Sequence, residues 1–228
     1  MRAAVVTVGD ELLAGDTENT NATWLCRELT ERGVTVERVI TVPDRVADIA
    51  RVVNEYRAEY DAVVVTGGLG PTHDDLTMDG VAAAVGRPVE HHDEAFEWLT
   101  GAGGYAAADL AVGTADLPAG ARFLPNDVGV APGAVVDSIY VLPGVPAEMK
   151  SMFARVADEF EGRQRHVEIV EAAEPESALV DRLAAVREAF PVDVGSYPGE
   201  HVRLKVIADD GETARAAAEW LRERVETV

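Results

Sequence analysis

The sequence predicts an α/β protein whose main part is a parallel sheet covered by helices. Strand-like and helix-like segments alternate through the first 86 residues. The strand at residues 3–8 is a continuous apolar run, and so is most of residues 61–65. Strands that helices cover on both faces have this composition, and the alternating order implies parallel pairing.

Each predicted element has a local signal. Apolar, β-branched runs indicate strands, and apolar residues three and four positions apart indicate helices. In order, these signals predict strand 3–8, helix 21–32, strand 34–42, helix 43–60, strand 61–65, a helix ending at Gly86, strands 121–124, 133–136 and 139–142, and helix 146–160. Asp74 or Asp75 can cap the helix that ends at Gly86. Residues 100–113 carry no clear pattern.

A second, smaller domain is predicted after a change of composition at residues 161–163. The signals there give strand 166–170, helix 175–189, strands 192–195 and 202–207, and helix 212–225. This order describes a small α+β domain. We therefore predict domains at residues 1–162 and 163–228.

The chain is strongly acidic. Its formal net charge is −21 over 228 residues, and Lys150 and Lys205 are the only lysines. Such a field repels nucleic acid and anionic lipid, so we expect neither nucleic acid nor a membrane as partner. Because the acids are spread along the chain, the composition favours the salt-rich cytoplasm of a haloarchaeon. The single cysteine and the lack of a long apolar run predict a cytoplasmic protein.

The candidate site lies in the loops after the strands, because ligands of open parallel sheets bind at the carboxyl ends of the strands. The segment TGGLGPTHDDLT, residues 66–77, follows the third strand. Gly67, Gly68 and Gly70 can bring free backbone amides close to a phosphate. The segment lacks the Walker lysine, and His73 stands where a dinucleotide fingerprint requires a third glycine. A purely structural turn stays open as the alternative.

Carboxylates accompany these glycines. Asp74 and Asp75 lie in the glycine loop, and Asp10 and Glu11 follow the first strand. Carboxylates beside a phosphate require a cation between them, so we predict a divalent metal (Mg, Mn, Co or Ni) held by Asp75 and Asp10. Asp75, Asp74 and Asp10 are the predicted catalytic residues. The alternative for Asp74 and Asp75 is a simple helix cap.

Three segments resemble a known family. They are VGDELLAGDTENTNATWLCREL, DAVVVTGGLGPTHDDLT and VGVAPGAVVDSIYVLPGVPAEMKSMF, and they are similar to the molybdopterin-binding, MoaB/MogA-like domain at the front of CinA, the competence/damage-inducible protein. The resemblance runs to about residue 160, and the remaining residues are similar to the small KH-like domain that follows in CinA. It implies a three-layer α/β/α fold with a mostly parallel, mixed sheet. It also implies a chain that ends before the nicotinamide mononucleotide deamidase domain of CinA.

The resemblance also implies a ligand and a reaction. The ligand would be a small phosphorylated molecule, either an ADP-ribose-like nucleotide or molybdopterin, and the reaction would be metal-dependent hydrolysis of ADP-ribose. Adenylylation of molybdopterin and binding without turnover are the alternatives, and a homo-oligomer stays open. The predicted ligand contacts, from the loops and the resemblance together, are Thr66, Gly67, Gly68, Gly70, Thr77, Glu11, Asn21, Gly133, Pro143 and Gly144.

Overall fold

A computed structural model describes all 228 residues and divides them into two units, Met1–Gly162 and Arg163–Val228. The strands of the first unit are β1 (Arg2–Val8), β2 (Thr35–Val42), β3 (Ala62–Gly67), β4 (Val89–His91), β5 (Asp116–Pro118), β6 (Arg122–Leu124), β7 (Gly133–Val136) and β8 (Ile139–Pro143). Its helices are α1 (Asp10–Ala14), α2 (Thr20–Glu31), α3 (Val46–Glu59), α4 (Thr77–Val85), α5 (Asp93–Thr100) and α6 (Pro146–Ala154).

The central sheet of this unit is mixed and mostly parallel, which confirms the predicted fold class. Its six strands run in the order β2-β1-β3-β8-β7-β6. Strand β1 pairs in parallel with β2 and β3, and β3 pairs in parallel with β8. Strands β7 and β6 continue the sheet in antiparallel fashion. The hairpin between β7 and β8 turns at Asp137, whose φ of 53° lies in the left-handed region that aspartate tolerates.

Alternate residues of β1 and β3 point into two separate cores, which produces the three layers. Val6 and Val65 pack with α3 and α4 on one face, where Ile49 is fully buried. Val5 and Val64 pack with α2 and α6 on the other face. Because both faces of these strands are buried, nearly every position must be apolar, and this is the pattern visible in the sequence.

The start of α4 differs from the prediction. Neither Asp74 nor Asp75 caps the helix, because its N-cap residue is Leu76, which makes no side-chain capping bond. Both carboxylates instead lie within hydrogen-bond distance of the Thr72 hydroxyl, and Asp75 also accepts a hydrogen bond from the Thr72 amide. The helix does end at Gly86, whose φ of 68° is the left-handed conformation expected of a terminating glycine.

Other differences are short elements. Helix α1 occupies part of the predicted loop after β1, and β4 and β5 form a separate antiparallel pair. Helix α6 ends at Ala154, earlier than residue 160, and a 3-10 turn at Ala157–Glu159 follows it.

The second unit contains β9 (His166–Ala172), α7 (Glu176–Ala189), β10 (Asp193–Tyr197), β11 (Val202–Ala208) and α8 (Gly211–Arg222). Its antiparallel sheet has the order β10-β11-β9. Leu204 and Val206 of β11 are fully buried with Leu179 of α7 and Leu221 of α8, so the helices cover one face of the sheet. The similarity of this unit to a KH domain stays a prediction.

No helix of the structure combines the length and the apolar character that crossing a membrane requires.

Candidate ligand-binding site

Four parallel strands end side by side at one edge of the first unit. Val8 at the end of β1 is paired with Val42 at the end of β2. Gly67 at the end of β3 is paired with Pro143 at the end of β8. The loops that follow these strands therefore meet at a common edge, as the parallel topology requires.

These loops line an open cavity of about 420 Å³, which we call the acidic cavity. It is lined by five carboxylate side chains and by no lysine, arginine or histidine. The carboxylates are Glu11, Asp44, Asp74, Asp75 and Glu148, and the other lining residues are Val8, Gly9, Gly67, Gly68, Leu69, Gly70, Val130, Ala131, Pro143, Gly144 and Val145. The volume is in the range of small-ligand sites, but the charge is unusual for a site that receives phosphate.

The glycine loop folds tightly around Asp75. A side chain at Gly68 would overlap Oδ1 of Asp75, and a Cβ at Gly70 would lie 2.6 Å from Oδ2. Oδ2 also accepts hydrogen bonds from the amide of Thr72 at 3.2 Å and from its hydroxyl at 2.6 Å. The carboxylate of Asp75 is thereby fixed against the loop that carries the glycines.

Asp74 and Asp75 converge on the same hydroxyl. Thr72 Oγ1 lies 2.5 Å from Asp74 Oδ1 and 2.6 Å from Asp75 Oδ2, so the two carboxylate oxygens are within about 5 Å of each other. A hydroxyl carries one hydrogen and can serve only one of them at a time. The hydrogen bond from Thr72 holds the pKa of Asp74 below its usual value. A cation near this pair would relieve the repulsion between the two charges.

Asp44 is a member of the site that the sequence reasoning missed. The backbone amide of Asp10 donates a hydrogen bond to Asp44 Oδ2 at 2.8 Å. Burial raises the pKa of Asp44, and the charges of Asp10, Glu11 and Asp74 raise it further, although the Asp10 amide opposes them. The sequence suggested that Pro43 and Asp44 open a helix, but the N-cap residue of α3 is Arg45. The position of Asp44 directly after β2 is the signal that could have identified it.

Glu148 is the second missed residue. It lies in the first turn of α6, and its Oε2 accepts a hydrogen bond from Asn126 Nδ2 at 2.7 Å. Asn126 belongs to the loop between β6 and β7 and is only 2% exposed. No local sequence pattern around either residue predicts this contact.

Asn21 lines a smaller pocket of about 80 Å³, which also contacts Glu11, Thr66 and Gly144. Its Nδ2 donates a 2.6 Å hydrogen bond to the carbonyl of Gly144, which fixes the orientation of the amide. Its Oδ1 is buried and has no hydrogen-bond partner. Buried acceptors are normally satisfied, so this oxygen is available to a donor from a ligand or a water molecule.

The structure thus brings most of the predicted residues together. The acidic cavity contains Glu11, Gly67, Gly68, Gly70, Asp74, Asp75, Pro143 and Gly144, and the smaller pocket adds Thr66 and Asn21.

Three predicted residues lie outside both pockets. Asp10 is the first residue of α1, and its side chain is exposed. Its backbone amide contributes to the site by donating a hydrogen bond to Asp44. Thr77 is fully buried behind Gly67, and its hydroxyl has no hydrogen-bond partner. Gly133 packs against the Met152 side chain and the carbonyl of Val141, so the absence of its side chain serves packing.

The carboxylates do not form a ready metal site. No group of three or more His, Cys, Asp or Glu side chains is arranged to hold a metal ion. Any cation in the acidic cavity would therefore need further ligands from water or from a bound molecule.

Comparison with known proteins gives consistent matches. Residues 4–161 match the family described as "Probable molybdopterin binding domain". A protein of Archaeoglobus fulgidus is 38% identical over 225 residues, which is 98% of this chain and 97% of that one. A CinA-like protein of Citrifermentans bemidjiense is 36% identical over 241 residues, covering 99% of this chain and 58% of its own length.

Among solved structures, CinA from Thermoplasma acidophilum, described as of unknown function, is 35% identical with a TM-score of 0.64. The match covers 70% of this chain and 97% of that one. The fold and the site therefore define an α/β domain with a carboxylate-lined cavity at the carboxyl edge of its sheet. The chain belongs to the family of probable molybdopterin binding domains, and its first unit is CinA-like.

Proposed function

We propose that the protein binds a phosphorylated nucleotide or pterin in the acidic cavity together with a divalent cation, and that it hydrolyses a pyrophosphate link, with ADP-ribose as the representative substrate. One observation carries the proposal. A glycine loop suited to phosphate shares a cavity with five carboxylates and no basic side chain. Phosphates and carboxylates repel each other unless a cation lies between them.

The donor set fits a hard divalent cation such as Mg²⁺ or Mn²⁺, because it consists of carboxylate oxygens. Asp75 is the central ligand in the proposal, since its Oδ1 accepts no hydrogen bond from the chain. Asp44 or Glu11 would complete the protein ligands from the same cavity. The side chain of Asp10, which was predicted as a ligand, does not line the cavity, but its negative charge acts on Asp44. The chain offers no cluster of three ligands, so we expect the cation to bind together with the phosphates.

When bound, the cation would polarise a phosphoryl oxygen and acidify a water molecule. The chain's own residues would do the rest. Amides of Gly67, Gly68 and Gly70 would hold the phosphate oxygens. In hydrolysis the water oxygen bonds to one phosphorus as the bridging P–O bond breaks, and the water proton passes to a carboxylate. Asp44 and Asp74 line the cavity and are the candidates for that base.

The family match favours a second candidate. A probable molybdopterin binding domain suggests a pterin ligand. Transfer of an adenylyl group from ATP to the molybdopterin phosphate, with release of pyrophosphate, would form the kind of phosphoanhydride bond that the hydrolysis breaks. The glycine loop would again bind the phosphates, and the carboxylates would again bind the cation. The two candidates differ in the acceptor, which is water in one case and the molybdopterin phosphate in the other.

The deciding experiment measures AMP release from ADP-ribose with Mg²⁺, Mn²⁺, Co²⁺ or Ni²⁺ in molar KCl. The wild type should release AMP and ribose 5-phosphate. Asp75→Asn should lower the rate at least about 100-fold, which is the scale of losing one electrostatic contact to a transition state. Asp79→Asn is the matched control, because Asp79 is exposed on α4 and does not line the cavity.

Retained turnover in Asp75→Asn would overturn the role of that residue. If folded wild-type protein releases no AMP with any metal, the hydrolase proposal is wrong. The same protein is then given ATP and molybdopterin, and adenylylated product would support the second candidate. Tight binding without product in either assay would indicate a binding module.

A further inference from the structure

We propose that Glu148 reads the part of the ligand that carries no phosphate. In this inference, Glu148 accepts hydrogen bonds from two adjacent donors, and Asn126 is the residue that positions it. Such a donor pair occurs in the cis-diol of a ribose and in the amino-pyrimidine edge of a pterin or guanine. The inference rests on the proposed function, because it assumes that the phosphates lie at the glycine loop.

Asn126 is built to hold a side chain in place. Its Nδ2 donates to the carbonyl of Ala131 at 2.9 Å and to Glu148 Oε2 at 2.7 Å. Its Oδ1 accepts from the amides of Val128 at 3.2 Å and Gly129 at 2.9 Å. Because acceptors face the nitrogen and donors face the oxygen, the amide has only one satisfactory orientation.

The backbone next to Asn126 also confines the carboxylate. A side chain at Gly129 would overlap the carboxyl group of Glu148, so the loop backbone approaches it more closely than any other residue would allow. Glu148 is therefore held from two sides. This is unlike the usual behaviour of a partly exposed glutamate, whose side chain samples several rotamers.

Both oxygens of this carboxylate can still accept a donor from a ligand, because each carboxylate oxygen has two lone pairs. Oε2 is bonded to Asn126, whereas Oε1 accepts no hydrogen bond and Glu148 forms no salt bridge. The carboxylate lines the acidic cavity together with Val130 and Val145, which are 40% and 53% exposed. Exposed apolar side chains beside a fixed acceptor suit a sugar or a flat ring whose edge carries donors.

The chemistry of the carboxylate selects what it can bind. An ionised carboxylate only accepts hydrogen bonds, so it pairs with hydroxyl or N–H donors. It repels a phosphate, and it also opposes the N1 lone pair on the pairing edge of adenine. A ribose diol, or a ring with adjacent N–H and amino groups, presents two donors and no conflicting acceptor.

The test measures ligand discrimination by isothermal titration calorimetry with Mg²⁺. The probes are ADP, 2′-deoxy-ADP, GDP and inorganic pyrophosphate. The proteins are the wild type, Glu148→Gln, Asn126→Ala and, as a control for charge, Glu219→Gln at an exposed position of α8. Removing a negative charge from the cavity strengthens the binding of every anion. We therefore compare ratios of Kd between nucleotides of equal charge, in which this general effect cancels.

In the wild type we expect 2′-deoxy-ADP to bind roughly tenfold more weakly than ADP if the diol is read, or GDP to bind roughly tenfold more tightly than ADP if the ring edge is read. The ratio should approach one in Glu148→Gln and Asn126→Ala and stay unchanged in Glu219→Gln. Retained pyrophosphate binding shows that each variant is folded.

Equal ratios in the wild type and Glu148→Gln would overturn the inference, and so would a wild type that binds no nucleotide. Wild-type protein that fails to bind pyrophosphate with Mg²⁺ would instead count against the proposed function. The nucleotide ratios would still decide the role of Glu148.

Discussion

The backbone amide of Asp10 donates a 2.8 Å hydrogen bond to Oδ2 of Asp44 and so connects the loops that follow β1 and β2. The bond holds one more carboxylate in a cavity that already contains four others. Burial and the charges of Asp10, Glu11 and Asp74 raise the pKa of Asp44. The cavity therefore concentrates negative charge at the point where a phosphorylated ligand would enter.

Asp44→Asn should stabilise the protein in EDTA, because it removes one of the clustered charges and still leaves an oxygen to accept the Asp10 amide. We expect a rise in Tm on the order of 1 °C, measured by thermal denaturation at pH 7. Mg²⁺ with pyrophosphate should abolish or reverse the gain, since the wild-type carboxylate then faces a cation. An Asp44→Asn gain that is the same with and without Mg²⁺ would show that no cation binds near Asp44.

Gly68→Ala should displace Asp75, because the added methyl group would overlap the carboxylate. We expect at least about a 100-fold loss of AMP release with little change in circular dichroism. Gly211→Ala is the matched control, since its added Cβ would lie 3.2 Å from His166 Nδ1, an atom of an exposed side chain. Full turnover in Gly68→Ala would mean that the position of Asp75 is unimportant.

Asn21→Ala should weaken both the fold and ligand binding. The variant loses the hydrogen bond to the Gly144 carbonyl, which should lower the free energy of unfolding by about 1 kcal/mol in a urea titration. It also removes the unpartnered Oδ1, and we expect the Kd of ADP-ribose with Mg²⁺ to rise roughly tenfold. Asn54→Ala, at an exposed position of α3, should change neither quantity. Unchanged binding in Asn21→Ala would leave Oδ1 to a water molecule.

Asp210→Ala tests the stability of the second unit. Asp210 caps α8 by accepting hydrogen bonds from the amide and hydroxyl of Thr213, both at 2.8 Å, and these bonds lower its pKa. A lowered pKa means that the contribution is complete above the unfolded value near 3.9 and is lost as the pH falls through the folded value. The difference in Tm between wild type and Asp210→Ala should therefore be largest at neutral pH and shrink toward pH 3. A difference independent of pH would contradict an ionic cap.

The fold was predictable where burial leaves a local pattern. Strands β1 and β3 are covered on both faces, so their apolar runs identified them. Gly86 marked the end of α4 because only its left-handed backbone can terminate the helix in this way. Strands β4 and β5 have three residues each, which is too short for an alternation to be recognised.

The site was predictable only in part. The glycines of the β3 loop and Asp75 stand out in the sequence, and the parallel topology brings them to one edge. The contact between Asn126 and Glu148 joins residues 22 positions apart and depends on how the loop after β6 meets α6. Asp44 was hidden because Pro-Asp also suits the start of a helix. Gly133 was wrongly predicted as a ligand contact, because its small size is needed for packing against Met152.

The most direct test of the central claim is the metal dependence of binding. The affinity of α,β-methylene-ADP, which cannot be hydrolysed at its bridge, is measured by calorimetry at constant ionic strength in EDTA and in Mg²⁺. A cavity with five carboxylates and no basic side chain predicts binding that is at least about 100-fold tighter with Mg²⁺. Equal affinity in EDTA would show that the phosphates are held without a cation and would contradict the account.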